Sequence, residues 1–322
     1  MTTNHLRVIY GGADWTSANG FTPDRICQIL KYLAKEGVLI GKTNVATFEF
    51  QINTKIPGGL WPHVEMTKEN VIRSRQGSFK TLGVDQVDIY YIHAPGRKIP
   101  LKETLEGINE LYKSGAFKYF EIEEVISIAK ENKFVLPSVY QGFYNAVGRR
   151  VETDIFPILR KNNMSFHAYA PLGGGFLAKK PQDIAVNPKG RFASDHYKPM
   201  FNILFNKTDM LEFMAGFGKI AQEEGISQAE LAYRWLRNHS FLRPELGDAV
   251  IIGCSYGRSL KIALEWLKAG PLSDTAVNRL DDIWKGVEKN AVLDVFNDLL
   301  DAGYTKAHLF DDFGDMSKVR FT

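Results

Sequence analysis

Cysteine is nearly absent: only Cys27 and Cys254 occur in 322 residues, and they show no metal-type spacing. A disulfide framework and a zinc site are therefore not supported; two reduced, buried thiols are expected, one on a predicted helix and one at a strand end. Long apolar runs are also missing. No stretch approaches the roughly 18 residues that span a bilayer, and Met1 to Leu6 carries no apolar signal region, so a soluble cytoplasmic protein without a membrane partner is expected. Charge of one sign is lacking as well: Lys and Arg number 40 against 37 Asp and Glu, giving +3 with both signs interspersed. That balance offers no surface for nucleic acid; it suits an anionic cofactor without demanding one. Repeats and low-complexity tracts are absent too.

What is present is an alternation of strands and helices. Arg7 to Tyr10 reads as a strand closed by Gly11-Gly12, and Thr22-Pro23 opens a helix to about Glu36. Phe48 to Ile56 reads as strand, and Thr67 caps a helix running to about Leu82. Val87 to Ile92 is apolar or aromatic except for Asp88, long enough for a strand buried on both faces, and His93 stands where Pro95-Gly96 breaks it. Further on, helices are expected from Pro100 to Gly115, Ile122 to Lys130, Val151 to Lys161, Leu211 to Arg237 with a break near Gly225, and Ser259 to Lys268. Strands are expected at Leu136 to Tyr140, Ser165 to Ala170 and Ala249 to Gly253. Parallel βαβ units follow, in a barrel or a doubly wound sheet. The length suits one α/β barrel, with a single domain over residues 1–290 and a divergent helix and tail over 291–322.

Chemistry in such folds sits at the carboxyl ends of strands, where loops vary over a rigid sheet. His93 is such a residue, although a core histidine bonded to backbone would read the same way. Two glycine loops follow late strands, Ala170-Pro171-Leu172-Gly173-Gly174-Gly175 and Gly253-Cys254-Ser255-Tyr256-Gly257-Arg258. Glycines let backbone N–H groups approach phosphate, and the loops after the last two strands of a barrel commonly hold one. Neither loop has a Rossmann or P-loop spacing.

Five ordered motifs together resemble the aldo-keto reductases: Lys55 in Asn-Thr-Lys-Ile, His93 in Tyr-Ile-His-Ala-Pro, the run Val139 to Asn145, Ala168 to Leu172, and Ile251 to Ser255. The run from Tyr140 through Val151-Glu152-Thr153 to Phe156-Pro157 is most similar to the aflatoxin aldehyde reductase branch. The resemblance implies a (β/α)8 TIM barrel that binds NADPH and transfers hydride to a small aldehyde or ketone, as a monomer or homodimer. It implies Gln141 on the nicotinamide amide, Tyr169 stacked on the ring, and Pro171, Leu172, Gly174, Ser255 and Arg258 on the phosphates and adenosine. Tyr144 and Asn145 would face substrate, in a pocket lined by loops such as Pro57 to His63 and Gly190 to Tyr197. Hydride addition leaves an alkoxide that needs a proton from an acid tuned near working pH. In the family Asp, Tyr, Lys and His supply this: lysine lowers the tyrosine pKa, the carboxylate positions the lysine, and histidine polarises the carbonyl. Lys55 and His93 match.

The other two do not. Neither Asp nor Tyr occurs between Lys35 and Lys55, and seven residues separate Ile40 from Phe48, where a parallel crossover with its helix needs at least about 10 to 12. A second shortening follows Phe117-Lys118-Tyr119-Phe120, leaving no room for the family's strand-end Ser-Asn beside Gln141. The barrel is thus expected to be incomplete or distorted around strands two and five, with six strands where closure wants eight. Ser259 and Ala263 stand where the family offers Gln and Asn to adenosine. Tyr144 and Tyr10 are the other tyrosines considered as a substitute acid, but the pattern places neither next to Lys55. Either two in-frame pieces are missing, as a misjudged exon boundary would cause, or the lineage has lost its acid and kept the scaffold as a non-catalytic NADPH-binding or channel-subunit-like regulatory protein. The first explanation is preferred because both junctions fall inside well-matched sequence.

Overall fold

The structure, a computed structural model, describes residues 6–11, 22–35, 53–56, 65–93, 99–116, 123–195, 197–253 and 257–303. In chain order these form β1 (Arg7–Tyr10), α1 (Pro23–Lys35), β2 (Asn53–Ile56), α2 (Lys68–Leu82), β3 (Ile89–Ile92), α3 (Leu101–Lys113), α4 (Glu123–Asn132) and β4 (Val139–Phe143). There follow α5 (Val151–Asp154), α6 (Phe156–Lys161), β5 (Ser165–Tyr169), α7 (Gln182–Ala185), α8 (Lys198–Phe205), α9 (Thr208–Glu223), α10 (Gln228–Asn238), β6 (Ala249–Ile252), α11 (Gly257–Lys268), α12 (Asp274–Lys285) and α13 (Val295–Asp301). Among the described residues the strands form two sheets, one ordered β1-β6-β5-β4 and one β2-β3. β1 pairs with β6, β5 with β6 and β2 with β3, each in parallel.

The chain groups into two units. One holds most of the residues from Pro23 to Tyr140. Its α2 is started by Thr67, whose Oγ1 accepts the Asn70 N–H at 3.3 Å, and stopped by Gly83 at φ 65°, a left-handed conformation that glycine adopts without steric cost. Leu101, Leu105, Ile108 and Leu111 recur at helical spacing on α3 and pack with Ile56, Val71 and Tyr90 in one apolar core. The α2–α3 crossing is close because residue 107 is glycine: a Cβ there would lie 3.0 Å from both the Val71 Cβ and the Lys68 carbonyl oxygen. Cys27, on α1, is half-buried rather than buried, and Cys254 lies outside the described residues.

The other unit contains β1, Gln141–Arg160 and Phe166–Tyr304. Its sheet is fastened by Asp248, which is fully buried just before β6. That carboxylate accepts from the Phe166 N–H at 2.7 Å, from the Arg243 N–H at 2.7 Å, and from two nitrogens of Arg160. A second network, buried except at Asp281, joins Tyr144, Glu152, Arg149 and Asp281, with the Arg149 guanidinium 5.0 Å from the Trp235 ring centre and 5.5 Å from that of Trp284. The divergent C-terminal helix is partly interior: Leu299 on α13 is buried, as are Ala291 and Val292 before it.

Candidate functional site

Lys55 and His93 are brought to neighbouring strand ends. In the parallel β2–β3 pair Lys55 stands opposite Tyr91, and the His93 N–H donates to the Ile56 carbonyl at 3.0 Å. Side chains alternate along a strand and paired residues share a face, so Lys55, Tyr91 and His93 point to one side and Ile56, Tyr90 and Ile92 to the other. The packing agrees. Tyr90 and Ile92 belong to the core against α2 and α3, whereas Tyr91 clusters with Ile89 and Val139. The Lys55 Nζ lies 5.7 Å from the Tyr91 ring centre. His93 is exposed at the strand end, yet the protein around it, and next the Lys55 ammonium, push its imidazole down to about 4. At neutral pH it is therefore uncharged, the form that donates an N–H to a carbonyl oxygen without competing for a proton.

The glycine loop sits at the end of β5. Ala170 takes φ 55°, and Gly173, Gly174 and Gly175 take φ 58°, 67° and 100°. Only glycine accepts such a run cheaply, and a Cβ at Gly174 would overlap the Phe201 ring. Many of the loop's amides are spent internally: Gly173 donates to Ala170, Gly175 to Leu172 and Leu177 to Leu172, at 2.8, 3.0 and 3.1 Å. Cationic side chains supply the positive charge instead. Lys179 is half-buried beside two glycine backbones, its Nζ 3.8 Å from where a Cβ of Gly175 would be and 3.4 Å from that of Gly190. Burial lowers its pKa; Asp183 raises it, and Lys189 and Arg191 lower it further. Arg191 lies over the Tyr197 and Phe201 rings at 5.5 and 5.8 Å. Lys179, Lys189 and Arg191 thus bring cationic charge beside glycine backbone, with the Asp183 carboxylate among them. These cations escape sequence reading because Lys179, Lys189 and Arg191 form no motif and meet only through the turns between them.

The remaining predicted residues fall as follows. Gln141 on β4 and Tyr169 on β5 lie in the second unit and are half-buried, with Phe143 edge-on to Tyr169 at 5.8 Å between ring centres. Pro171 is buried and Leu172 half-buried. Asn145 is fully buried: its Nδ2 donates to the Ala170 carbonyl at 3.0 Å and its Oδ1 accepts from the Val147 and Gly148 N–H groups, each at 3.0 Å. It therefore holds the start of the glycine loop. Tyr144 is also buried. Its hydroxyl donates to Glu152 at 2.7 Å and accepts from the Phe241 N–H at 2.9 Å, and burial, with the Glu152 charge next, drives its pKa well above the ordinary value. That geometry agrees with disfavouring Tyr144 as a substitute acid: its proton is committed to Glu152 and costly to release. Arg258 is exposed near the start of α11, while Ser255 and Pro57 to His63 lie outside the described residues.

The profile of the Aldo/keto reductase family matches residues 14–285. The chain belongs to that family. Among its relatives, Oxidoreductase sirO of Leptosphaeria maculans is 35% identical over 255 residues, 76% of this chain and 77% of the relative. Aflatoxin B1 aldehyde reductase member 2 of Homo sapiens is 34% identical over 239 residues, covering 70% and 67%. Aldo-keto reductase pigE of Monascus ruber is 30% identical over 229 residues, 66% of each. As an aldo-keto reductase, the chain has the α/β class of the (β/α)8 barrel and belongs among nicotinamide-dependent carbonyl oxidoreductases. Among the described residues the chain carries six strands, in a sheet of four and a sheet of two. No described helix is long and apolar enough to cross a membrane, and the described residues contain no metal-binding group of three or more His, Cys, Asp or Glu.

Proposed function

We propose that this chain is an NADPH-dependent oxidoreductase that reduces a small aldehyde or ketone to an alcohol. The supporting observation is the convergence of Lys55, Tyr91 and His93 on one face at the end of β2–β3. NADPH, when bound, supplies the hydride. Gln141 and Tyr169 take the nicotinamide, and the loop at Pro171, Leu172 and Gly174 with Lys179 and Arg191 takes the pyrophosphate. Ser255 and Arg258 are assigned to the adenosine end. On the carbonyl, neutral His93 donates a hydrogen bond to oxygen as negative charge develops there, and Lys55 stabilises that charge. Tyr144 and Asn145 were expected at the substrate; their buried positions support a role in shaping the wall behind it. Residues 1–290 act as one catalytic domain, in a cytoplasmic monomer or homodimer.

A second reading is favoured by one observation, the lack of any Asp or Tyr between Lys35 and Lys55. It is a non-catalytic NADPH-binding regulatory protein. Tryptophan fluorescence of the purified chain titrated with NADPH, followed by NADPH absorbance with an aldehyde, separates the two. Quenching with aldehyde-dependent NADPH loss supports the reductase, and quenching without loss supports the regulatory protein. Absence of both refutes each reading.

A further inference from the structure

Just beyond β4 and at the end of β5, two successive carbonyls of one chain segment are held by two successive residues of the other. The Tyr144 N–H donates to the Tyr169 carbonyl at 3.3 Å, and the Asn145 Nδ2 donates to the Ala170 carbonyl at 3.0 Å. The first bond is backbone to backbone and asks nothing of residue 144 but an N–H. The second needs a side chain. The same Ala170 carbonyl also accepts the Gly173 N–H at 2.8 Å, which closes the turn into the glycine loop. Ala170 sits in this turn at φ 55°, a left-handed conformation that is costly for a residue with a Cβ and persists only where its surroundings impose it.

Position 145 calls for a group that accepts twice and donates once. Its Oδ1 accepts the Val147 and Gly148 N–H groups, each at 3.0 Å, while its Nδ2 serves the Ala170 carbonyl. An amide does both; a carboxylate accepts but cannot donate, and turning the amide over would set donor against donor and oxygen against oxygen. Asn145 is 0% exposed, so solvent does not replace a lost partner. The turn it fixes reaches Tyr169 by a second route. Gly148 lies so close to the Phe143 ring that a Cβ there would be 2.4 Å from a ring carbon, and that ring meets Tyr169 edge-on at 5.8 Å between centres.

We propose that Asn145 is a positioning residue for the nicotinamide end of the cofactor: it locks the left-handed turn at Ala170 that aims the Tyr169 ring and starts the loop at Pro171, Leu172 and Gly174. This rests on the reductase reading above. Asn145 is enclosed by protein and acts through that backbone rather than on the reacting atoms.

Asn145→Asp keeps the shape and the acceptor and removes the donor; it is measured at about pH 8.5, where a carboxyl is ionised. In single turnover of saturating NADPH with an aldehyde, hydride transfer is expected to slow about a hundredfold, the loss that a misplacement of about 1 Å brings. A readout besides turnover is the fluorescence anisotropy of the nicotinamide in bound NADPH, which should fall as the ring loosens. Adenosine 2′-monophosphate has neither pyrophosphate nor nicotinamide, and by calorimetry it should bind the variant as it binds wild type. Wild-type anisotropy and transfer in Asn145→Asp overturn the assignment. So does a loss of adenosine 2′-monophosphate affinity as large as that for NADPH, the mark of general damage. If Asn145→Asp does not fold, Ala170→Val opposes the same turn from the loop side, because a β-branched residue resists positive φ. The same pattern is expected, and wild-type anisotropy there overturns the assignment. Wild-type protein that holds NADPH but turns over no carbonyl fails the reductase reading alone, since the anisotropy still decides on Asn145. Wild-type protein that binds no NADPH fails both.

Discussion

Lys179→Met removes one charge from the glycine loop while leaving most of the side chain's stem in place. Lys179 is half-buried beside Gly175 and Gly190, its ammonium already disfavoured by burial and by Lys189 and Arg191 and favoured by Asp183. At about 4 Å and an effective dielectric constant near 20, an ammonium and a phosphate oxygen attract by about 4 kcal/mol. Removing the lysine also relieves its own desolvation and frees Asp183, so the net loss should be nearer to 1.5–3 kcal/mol, the range for a hydrogen bond to a charged group. That is about a 10- to 100-fold rise in the NADPH dissociation constant. The assay is tryptophan quenching at fixed ionic strength, with the salt dependence measured for both proteins; the variant's should be shallower. Lys189→Met is the control: Lys189 is exposed and paired with Asp183, and its loss should cost less than about threefold, as exposed pairs do. A Lys179→Met protein that binds NADPH within twofold of wild type would refute the assignment of pyrophosphate to this loop.

Three further outcomes follow from the same structure. Asp248→Ala leaves the Arg160 guanidinium and the Phe166 and Arg243 amides without their acceptor; a loss of about 3–5 kcal/mol in denaturant unfolding is expected, and under 1 kcal/mol would contradict the network. His167 is 1% exposed and burial holds its pKa near 3, with His93 near 4, against about 6.5 in the unfolded chain. Both folded values are lowered, so the unfolded chain binds more protons below pH 6.5. Stability from this source is full above that pH and lost on acidification, His167 alone accounting for about 2 kcal/mol by pH 5; thermal midpoints that do not fall between pH 7 and 5 would contradict this. Gly174→Ala places a Cβ at φ 67° against the Phe201 ring, and should cost more than the about 1 kcal/mol expected of the backbone conformation alone, read as a lower thermal midpoint together with weaker NADPH binding.

Much of the fold was legible where local signals were strong. The Thr67 cap, the α3 stripe and the apolar β3 run each specify their own element, and parallel pairing then places Lys55 and His93 at adjacent strand ends. The fourth strand starts later than the Leu136 to Tyr140 reading because Pro137 has no N–H for a ladder and Leu136 is exposed. Helices α8 and α12 carry local signals too short to stand out from the sequence alone: Pro199 at the start of α8 marks its first turn, and Ser273 caps α12 by accepting the Ala276 N–H. At the site, glycines indicated a phosphate loop without showing that its amides bond to one another. Nor could spacing reveal that Tyr144 is enclosed, since the group that saturates it, the Phe241 N–H, lies 97 residues away.

Hydride transfer itself is the most direct test of this chain as a reductase. Purified protein, NADPH carrying deuterium at the transferable position of the nicotinamide and an aromatic aldehyde should give an alcohol with one deuterium on the former carbonyl carbon. Lys55→Met should form far less of it. Bound NADPH that stays reduced, with no labelled alcohol at any pH between 6 and 9, would contradict the enzyme reading and leave a cofactor-binding scaffold.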